Sequence, residues 1–200
     1  QLSEELTRFE QSLPAPMARW AEAEWQFWRP PQFQLAGLRI GELALPDAPT
    51  VRLPLLVPCP LNRPAWIDSS EGGPADAALM ARTLLTRLLA CYPAGGVIVH
   101  AIDPAGRTDP LAPIGGPGCQ VQPTPAAVTV DAIRDLLHEL TAQLDRREMA
   151  LAAGMLDAID DRDRIIVLHD FPTGLDDGCL ALLRNLMDVG PSAGIQVIAT

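Results

Sequence analysis

Residues 164–170 read Arg-Ile-Ile-Val-Leu-His-Asp, and Phe171-Pro172 follows directly. The run at 165–168 is apolar, mostly β-branched and without alternation, which is typical of a parallel strand buried on both faces. Asp170 is then expected at the carboxyl tip of that strand. In a nucleotide-hydrolysing α/β domain such an acid holds Mg²⁺. The alternative is that Asp170 only caps the next turn, because Asp before Pro and Gly is ordinary turn chemistry.

The composition favours a folded domain of modest charge density and excludes several classes. The chain has 200 residues, 48% of them hydrophobic but only 4% aromatic, which suits helices packed on a parallel sheet. The net charge of −10 argues against a chain that clamps nucleic acid through its overall field. Every basic residue is Arg, a bias that resembles GC-rich bacterial genomes, so the chain has no lysine for a P-loop.

The cysteines carry no metal or redox motif. They are widely separated and form no Cys-x-x-Cys pair, and they are Cys59, Cys91, Cys119 and Cys179. With no secretory signal, we expect free thiols in a reducing cytoplasm, with any membrane tether lying in other parts of a longer protein. No apolar run approaches the roughly 20 residues that span a bilayer.

The first 36 residues are predicted to be a helix followed by a Trp- and Pro-rich linker. Leu2, Leu6, Phe9 and Leu13 form one apolar stripe, from either the end of a longer helix or a short helix docked on the domain. The linker holds Trp20, Trp25 and Trp28 and also Phe27. Such a cluster either anchors a partner or pins the linker to the domain.

Residues 37–200 are predicted to be an α/β domain. Strands are expected at 38–43, 51–58, 65–68, 97–103, 164–170 and 195–200, and helices at 75–90, 130–153 and 175–189. The Pro- and Gly-rich residues 104–125 predict a long loop. Because the chain begins with Gln and stops in a strand, we expect it to be part of a longer protein. The alternation of strands and helices predicts a largely parallel sheet.

Sites in such sheets lie at the carboxyl ends of the strands. Asp68, Asp103, Asp170 and Thr200 are all expected there.

The remaining candidates for a functional site are weaker. Gly-rich residues 115–118 do not join a strand to a helix, and the acidic loop 157–163 lacks the pattern of a calcium loop. The histidines, which are His100, His138 and His169, lack metal-ligand spacing, and we expect His100 and His169 to be core-edge residues, each with a satisfied hydrogen bond.

Four segments taken in order resemble the RecA-type motor domain of the FtsK/SpoIIIE family. They are the strand, turn and helix at 65–90, Ala-Ile-Asp-Pro at 101–104, the strand ending at Asp170, and Ala-Gly-Ile-Gln-Val-Ile-Ala-Thr at 193–200. In that family Ile-Asp-Pro ends the strand after the P-loop helix, and an Ala-Gly-Ile segment ending in Ala-Thr follows the Walker B strand. The resemblance covers about residues 20–200. It implies an α/β, RecA-like P-loop-NTPase-type domain with a mostly parallel sheet flanked by helices.

The resemblance also shows where this chain departs from the family. The segment in the place of the P-loop is Ser69, Ser70, Glu71, Gly72, Gly73, Pro74, Ala75 and Asp76. Ser69 stands at the first Gly and Pro74 at the Gly before the lysine. Ala75 replaces that lysine and Asp76 replaces the hydroxyl that binds Mg²⁺. Asp170 is Walker B-like, Asp103 is a strand-end acid and Thr200 a sensor-like strand end, but Phe171 replaces the catalytic Glu.

These losses imply a catalytically degenerate ATPase domain with no catalytic residue of its own, because phosphoryl transfer depends on positioning and electrostatics. The expected role is a scaffold or regulatory module in a DNA-translocase or secretion-type motor. One alternative is a nucleotide-binding domain whose active site a neighbouring subunit completes, and the other is a pure protein-interaction platform. No cofactor is expected, except ATP with Mg²⁺ if nucleotide binding is retained. The implied partners are adjacent motor domains or subunits in a ring, DNA through the whole assembly, and no membrane insertion by this segment.

Overall fold

A parallel sheet of five strands, in the order β3-β7-β6-β4-β5, forms the centre of the α/β fold in this computed structural model. The structure describes residues 2–106, 122–155, 160 and 162–200. The strands are β3 (Ala65–Trp66), β4 (Val97–Ile102), β5 (Gln122–Pro123), β6 (Asp163–Leu168) and β7 (Ile195–Ala199). All neighbouring pairs in this sheet are parallel, as the sequence predicts.

The register aligns the strand ends in one row. Trp66 is the partner of Ala199, Ala199 of Leu168, and Leu168 of Ile102. The segments that follow β3, β4, β6 and β7 therefore all leave the sheet at the same edge, the carboxyl edge. β5 is a strand that the sequence did not predict, because its two residues lie in a segment dominated by Pro and Gly.

Two helices cover one face of the sheet. They are α3 (Val130–Ala153) and α4 (Asp177–Asp188), and their N-caps Thr129 and Asp176 accept hydrogen bonds from backbone amides. Their apolar stripes pack on the even-numbered side chains of β6, and the shared core includes Ile166, Leu168, Ile133, Leu137, Leu140, Leu144, Leu183 and Leu186. The predicted helical spacing is thus confirmed, and α3 has the predicted bounds.

Another helix, α2 (Gly73–Leu89), follows β3 after a six-residue connection that runs from Ile67 to Gly72. Its buried apolar side chains are Ala77, Ala78, Ala81, Leu84, Leu85 and Leu88, and Arg87 is buried too. The predicted start at residue 75 is two residues late, since Gly73 and Pro74 already belong to the first turn, where a proline is well tolerated.

The chain divides into two compact units. The sheet unit holds the parallel sheet and consists of Leu61–Leu85 and Ala94–Thr200. The N-terminal unit consists of Gln1–Pro60 and Thr86–Pro93. The N-terminal unit contains α1 (Leu2–Gln11) and an antiparallel hairpin of β1 (Gly37–Leu45) and β2 (Ala48–Pro58). By its contacts the hairpin therefore groups with the first 36 residues, whereas the predicted division at residue 36 placed it with the α/β core.

The tryptophans of the linker pack within the N-terminal unit. The rings of Trp20 and Trp25 stack with their centroids 4.3 Å apart, and the Arg87 guanidinium lies 4.2 Å from the Trp20 centroid. Trp28 Nε1 donates to the Ala90 carbonyl at 3.3 Å. The sequence left two interpretations of the Trp cluster, an anchor for a partner or a means of pinning the linker, and these contacts agree with the second.

Several predictions from the sequence concern residues outside the described part of the chain. These are the Gly-rich residues 115–118, Cys119, most of the loop at 104–125 and most of the acidic loop at 157–163. Cys59, Cys91 and Cys179 are buried free thiols. Within the described ranges, no helix combines the length and the apolar character needed to cross a bilayer.

Candidate functional site

The carboxyl edge of the sheet brings together the polar residues that follow the strands. Asp103 follows β4, His169 and Asp170 follow β6, and Thr200 follows β7. The Thr200 hydroxyl lies 3.3 Å from His169 Nδ1 and accepts from the Asp170 amide at 3.4 Å. Asp68 follows β3 at the same edge, so all four positions predicted for this edge are found there.

The connection between β3 and α2 occupies the place predicted for a phosphate-binding loop. Two backbone amides here are used locally: the Ser70 amide donates to Asp68 Oδ1 at 2.8 Å, and the amide of Gly73, the first residue of α2, donates to the Ser69 carbonyl at 2.9 Å. Pro74 has no amide hydrogen. A P-loop works by pointing such amides at phosphate. In this loop at least these three positions offer no free donor.

The same loop carries negative charge instead of a lysine. Asp68, Glu71 and Asp76 are all exposed. The amide of Ser70 lowers the pKa of Asp68 below its usual value, so this carboxylate is ionised at neutral pH. Asp76 folds back over Gly72, where a Cβ atom would lie 3.1 Å from Asp76 Oδ2. The helix N-terminus of α2, which favours anions, is thus already accompanied by a carboxylate of the chain.

His169 is buried at the end of β6, the central strand of the sheet. Leu168 belongs to the core with α3 and α4, so the pleat directs His169 to the opposite face of the sheet. The residue is only 4% exposed, and among the described residues its Nε2 has no hydrogen-bond partner. Burial lowers the pKa of His169, the charge of Asp103 opposes this shift, and Arg82 of α2 reinforces it. We therefore expect a neutral imidazole at pH 7 on the face of the sheet opposite to α3 and α4, next to the Walker B-like position of Asp170.

Asp170 lies in the turn beyond β6. It is exposed and has a backbone φ of 58°, a left-handed conformation that Asp tolerates better than most residues. The turn then approaches Pro104, because a Cβ atom at Gly174 would lie 2.4 Å from Pro104 Cβ. The Walker B-like role of Asp170 stays a prediction, and the structure adds that this carboxylate projects from an exposed turn.

Phe171, in the place of the catalytic Glu, makes an aromatic contact. Its ring packs edge to face on Trp66, with centroids 5.2 Å apart and an interplanar angle of 62°. Such a pair contributes packing but no proton acceptor. Among the described residues no three His, Cys, Asp or Glu side chains are grouped so that they could hold a metal ion.

Reasoning from the sequence did not show which face of the sheet His169 takes. We expected His169 at the core edge with a satisfied hydrogen bond, and the contact of its Nδ1 with the Thr200 hydroxyl agrees with this expectation; its Nε2 has no partner among the described residues. A strand buried on both faces has no alternation of polar and apolar residues, so its sequence does not show which residue at its end points inward. The aromatic pair of Trp66 and Phe171 joins residues far apart in the chain, and no local pattern could reveal it.

No family model and no curated protein sequence matches this chain. Solved structures do match its fold. The cytoplasmic domain of the type VII secretion ATPase EccC from Thermomonospora curvata is similar with a TM-score of 0.51 and 14% identity, over 80% of this chain and 18% of that one. A structure of Thermomonospora curvata EccC (ATPases 2 and 3) in complex with a signal sequence peptide matches with the same score and identity, over 80% of this chain and 28% of that one.

The chain therefore has the RecA-like P-loop-NTPase-type α/β fold that the sequence predicts, and it spans less than a third of the length of these EccC chains. At this level of identity the similarity establishes the fold alone.

Proposed function

We propose that this chain is a motor-type ATPase domain that has lost hydrolysis and serves as a scaffold or regulatory module in a secretion-type motor assembly. The observation that carries the proposal is the loop before α2. Its Ser70 and Gly73 amides are hydrogen-bonded inside the loop, Pro74 lacks an amide hydrogen, and Asp68 and Asp76 are carboxylates. The phosphates of a nucleoside triphosphate would meet negatively charged carboxylates where they need hydrogen bonds from backbone amides and a lysine.

The other side of the site supports the same conclusion. Beside the Walker B-like Asp170, which lies in an exposed turn, the buried His169 offers Mg²⁺ no carboxylate, and Phe171 gives an attacking water no base. Removing one preorganised group of this kind typically costs about 3 kcal/mol of transition-state stabilisation. The loss of the lysine, the Mg²⁺-binding hydroxyl and the base together leaves no route to turnover within this domain.

The kind of motor is inferred from the fold and the charge. Both EccC structures belong to a type VII secretion ATPase, and one of them holds a signal sequence peptide. A net charge of −10 suits a domain that works through protein contacts better than one that grips DNA. We therefore place this domain beside active motor domains of a cytoplasmic assembly that handles protein, with a DNA translocase as the second choice.

Nucleotide binding is the first test of the proposal. A fluorescent ATP analogue with Mg²⁺ is titrated into the wild-type chain, where we expect no saturable binding up to millimolar nucleotide. A variant that combines Asp68→Ala, Ala75→Lys and Asp76→Thr serves as the positive control, because it frees the Ser70 amide and exchanges carboxylates for a lysine and a hydroxyl. We expect that variant to gain binding.

Saturable micromolar binding by the wild type that Asp170→Ala abolishes would overturn the proposal. It would favour the alternative in which this domain binds nucleotide and a neighbouring subunit completes the active site. If nucleotide does not bind, addition of the domain to its cognate motor and measurement of ATP turnover tests the regulatory role. Phe27 and Phe33 are 76% and 81% exposed, so Phe27→Ser and Phe33→Ser are the first variants for loss of that effect.

A further inference from the structure

A cavity lined by arginines lies at the amino end of the parallel strands, at the opposite edge from the carboxyl-edge residues. Arg164 is the second residue of β6 and is in register with Ile195, the first residue of β7. The cavity has a volume of about 90 Å³, and we call it the arginine pocket. Its polar lining consists of Gln143, Arg146, Arg147, Asp160, Arg162 and Arg164.

One carboxylate of the chain already binds to two of these arginines. Asp160 accepts two hydrogen bonds from the Arg162 side chain, one at each carboxylate oxygen and both at 2.8 Å. Arg164 Nη2 donates to Asp160 Oδ2 at 2.7 Å. These contacts hold the pKa of Asp160 well below its usual range, with Arg162 as the largest cause. The paired donors of a guanidinium are the geometry that carboxylates and phosphates share as ligands.

The positions of two of the guanidinium groups, those of Arg147 and Arg164, are set by the fold. The Arg164 side chain is only 7% exposed, and its Nε donates to Gln143 Oε1 at 3.0 Å. Arg147 pairs with Asp163 at 3.2 Å and also donates to the Arg162 carbonyl. Arg147 and Arg164 therefore form a fixed wall of the pocket.

Among the residues that the structure describes, the pocket carries more positive than negative charge. Its four arginines face two described carboxylates, Asp160 and the Asp163 that pairs with Arg147. Arg146 is exposed, and it forms no ion pair with any residue that the structure describes. This surplus of two positive charges, counted over the described part of the chain, lies in a protein whose net charge is −10. A ligand with two negative charges would neutralise the surplus, whereas a single carboxylate would not.

The volume limits the size of the ligand. One water molecule needs about 10–15 Å³ on this measure. A cavity of about 90 Å³ therefore holds several water-sized groups. That is enough for a tetrahedral oxyanion and too little for a nucleoside.

We propose that the arginine pocket binds a phosphate dianion, either free or as a phosphomonoester, between Arg146 and Arg162. The Asp160 carboxylate competes with this ligand for the Arg162 guanidinium, and it leaves Arg162 when the ligand binds. The site is independent of the degenerate loop at the other edge of the sheet, so it does not rest on the function proposed above.

Calorimetric titration with inorganic phosphate tests the site. The buffer is free of phosphate, and chloride keeps the ionic strength constant so that general screening does not change. We expect saturable binding that Arg146→Gln weakens by about tenfold, the loss of one charge-assisted hydrogen bond. Arg184→Gln is the matched control, because Arg184 is an exposed arginine of α4 outside the pocket.

Asp160→Asn gives a result that a purely structural role of these arginines would not produce. It keeps the shape of the side chain but removes the competing charge, so we expect phosphate to bind several-fold more tightly. Glycerol phosphate identifies the source: binding as tight as that of inorganic phosphate indicates a monoester group, and binding of inorganic phosphate alone indicates the free ion.

Three results would overturn the proposal. They are no saturable binding by the wild type, an equal effect of Arg184→Gln and Arg146→Gln, and no gain in a folded Asp160→Asn variant. Circular dichroism of each variant shows that it is folded.

Discussion

Replacement of Gly174 by Ala tests the turn that closes the carboxyl edge of the sheet. Gly174 has a φ of 72°, which costs an L-residue about 1 kcal/mol. The new Cβ atom would also lie 2.4 Å from Pro104 Cβ, and a proline ring cannot move away by a change of rotamer. Overpacking of this kind costs about 1–3 kcal/mol. We therefore expect Gly174→Ala to lower the free energy of unfolding by about 2–4 kcal/mol.

The matched control is Gly95→Ala in the same unit. Gly95 has a φ of 74°, but nothing lies within 4 Å of the position that its new Cβ atom would take, so this variant incurs only the backbone cost. Thermal unfolding followed by circular dichroism separates the two variants, because 1 kcal/mol shifts the Tm of a domain of this size by about 2–4 °C. We expect a fall in Tm of about 2–4 °C for Gly95→Ala and about 4–16 °C for Gly174→Ala. Equal shifts would refute the claim that Pro104 restricts this turn.

Two further predictions concern the sheet unit. Burial, and then the charge of Arg164, lower the pKa of His100 to about 4, so the folded state disfavours the protonated ring. The stability that a neutral His100 provides is complete above the usual pKa of 6.5 and falls by about 3 kcal/mol as the pH drops to about 4. Urea unfolding at several pH values measures this loss of stability. The His100→Gln variant, which has no imidazole to protonate, should not show it. Thr129 caps α3 by accepting from the Ala132 amide at 3.2 Å, so Thr129→Ala should cost about 1 kcal/mol in the same assay while Thr129→Asn stays near the wild type.

The sequence predicted most of the fold because the signals involved are local. The apolar run at 165–168 is a buried strand of the sheet, and the stripe of α3 packs on it. Because the strands are parallel, the edge at which Asp103, Asp170 and Thr200 lie also followed from the sequence. The exceptions, β5 and the first turn of α2, are rich in Pro and Gly, where periodicity is weakest.

The lack of a lysine and the acidic character of the loop before α2 are facts of the sequence alone, and no tertiary structure could reverse them. Only the tertiary structure decided which side chain faces inward at the end of β6, because a strand buried on both faces shows no alternation from which the face of His169 could be inferred. It also decided that the loop amides at Ser70 and Gly73 are occupied, and that Arg146 meets Arg162 at one cavity. Such contacts depend on how the chain closes on itself, whereas propensity and periodicity describe only neighbours along it.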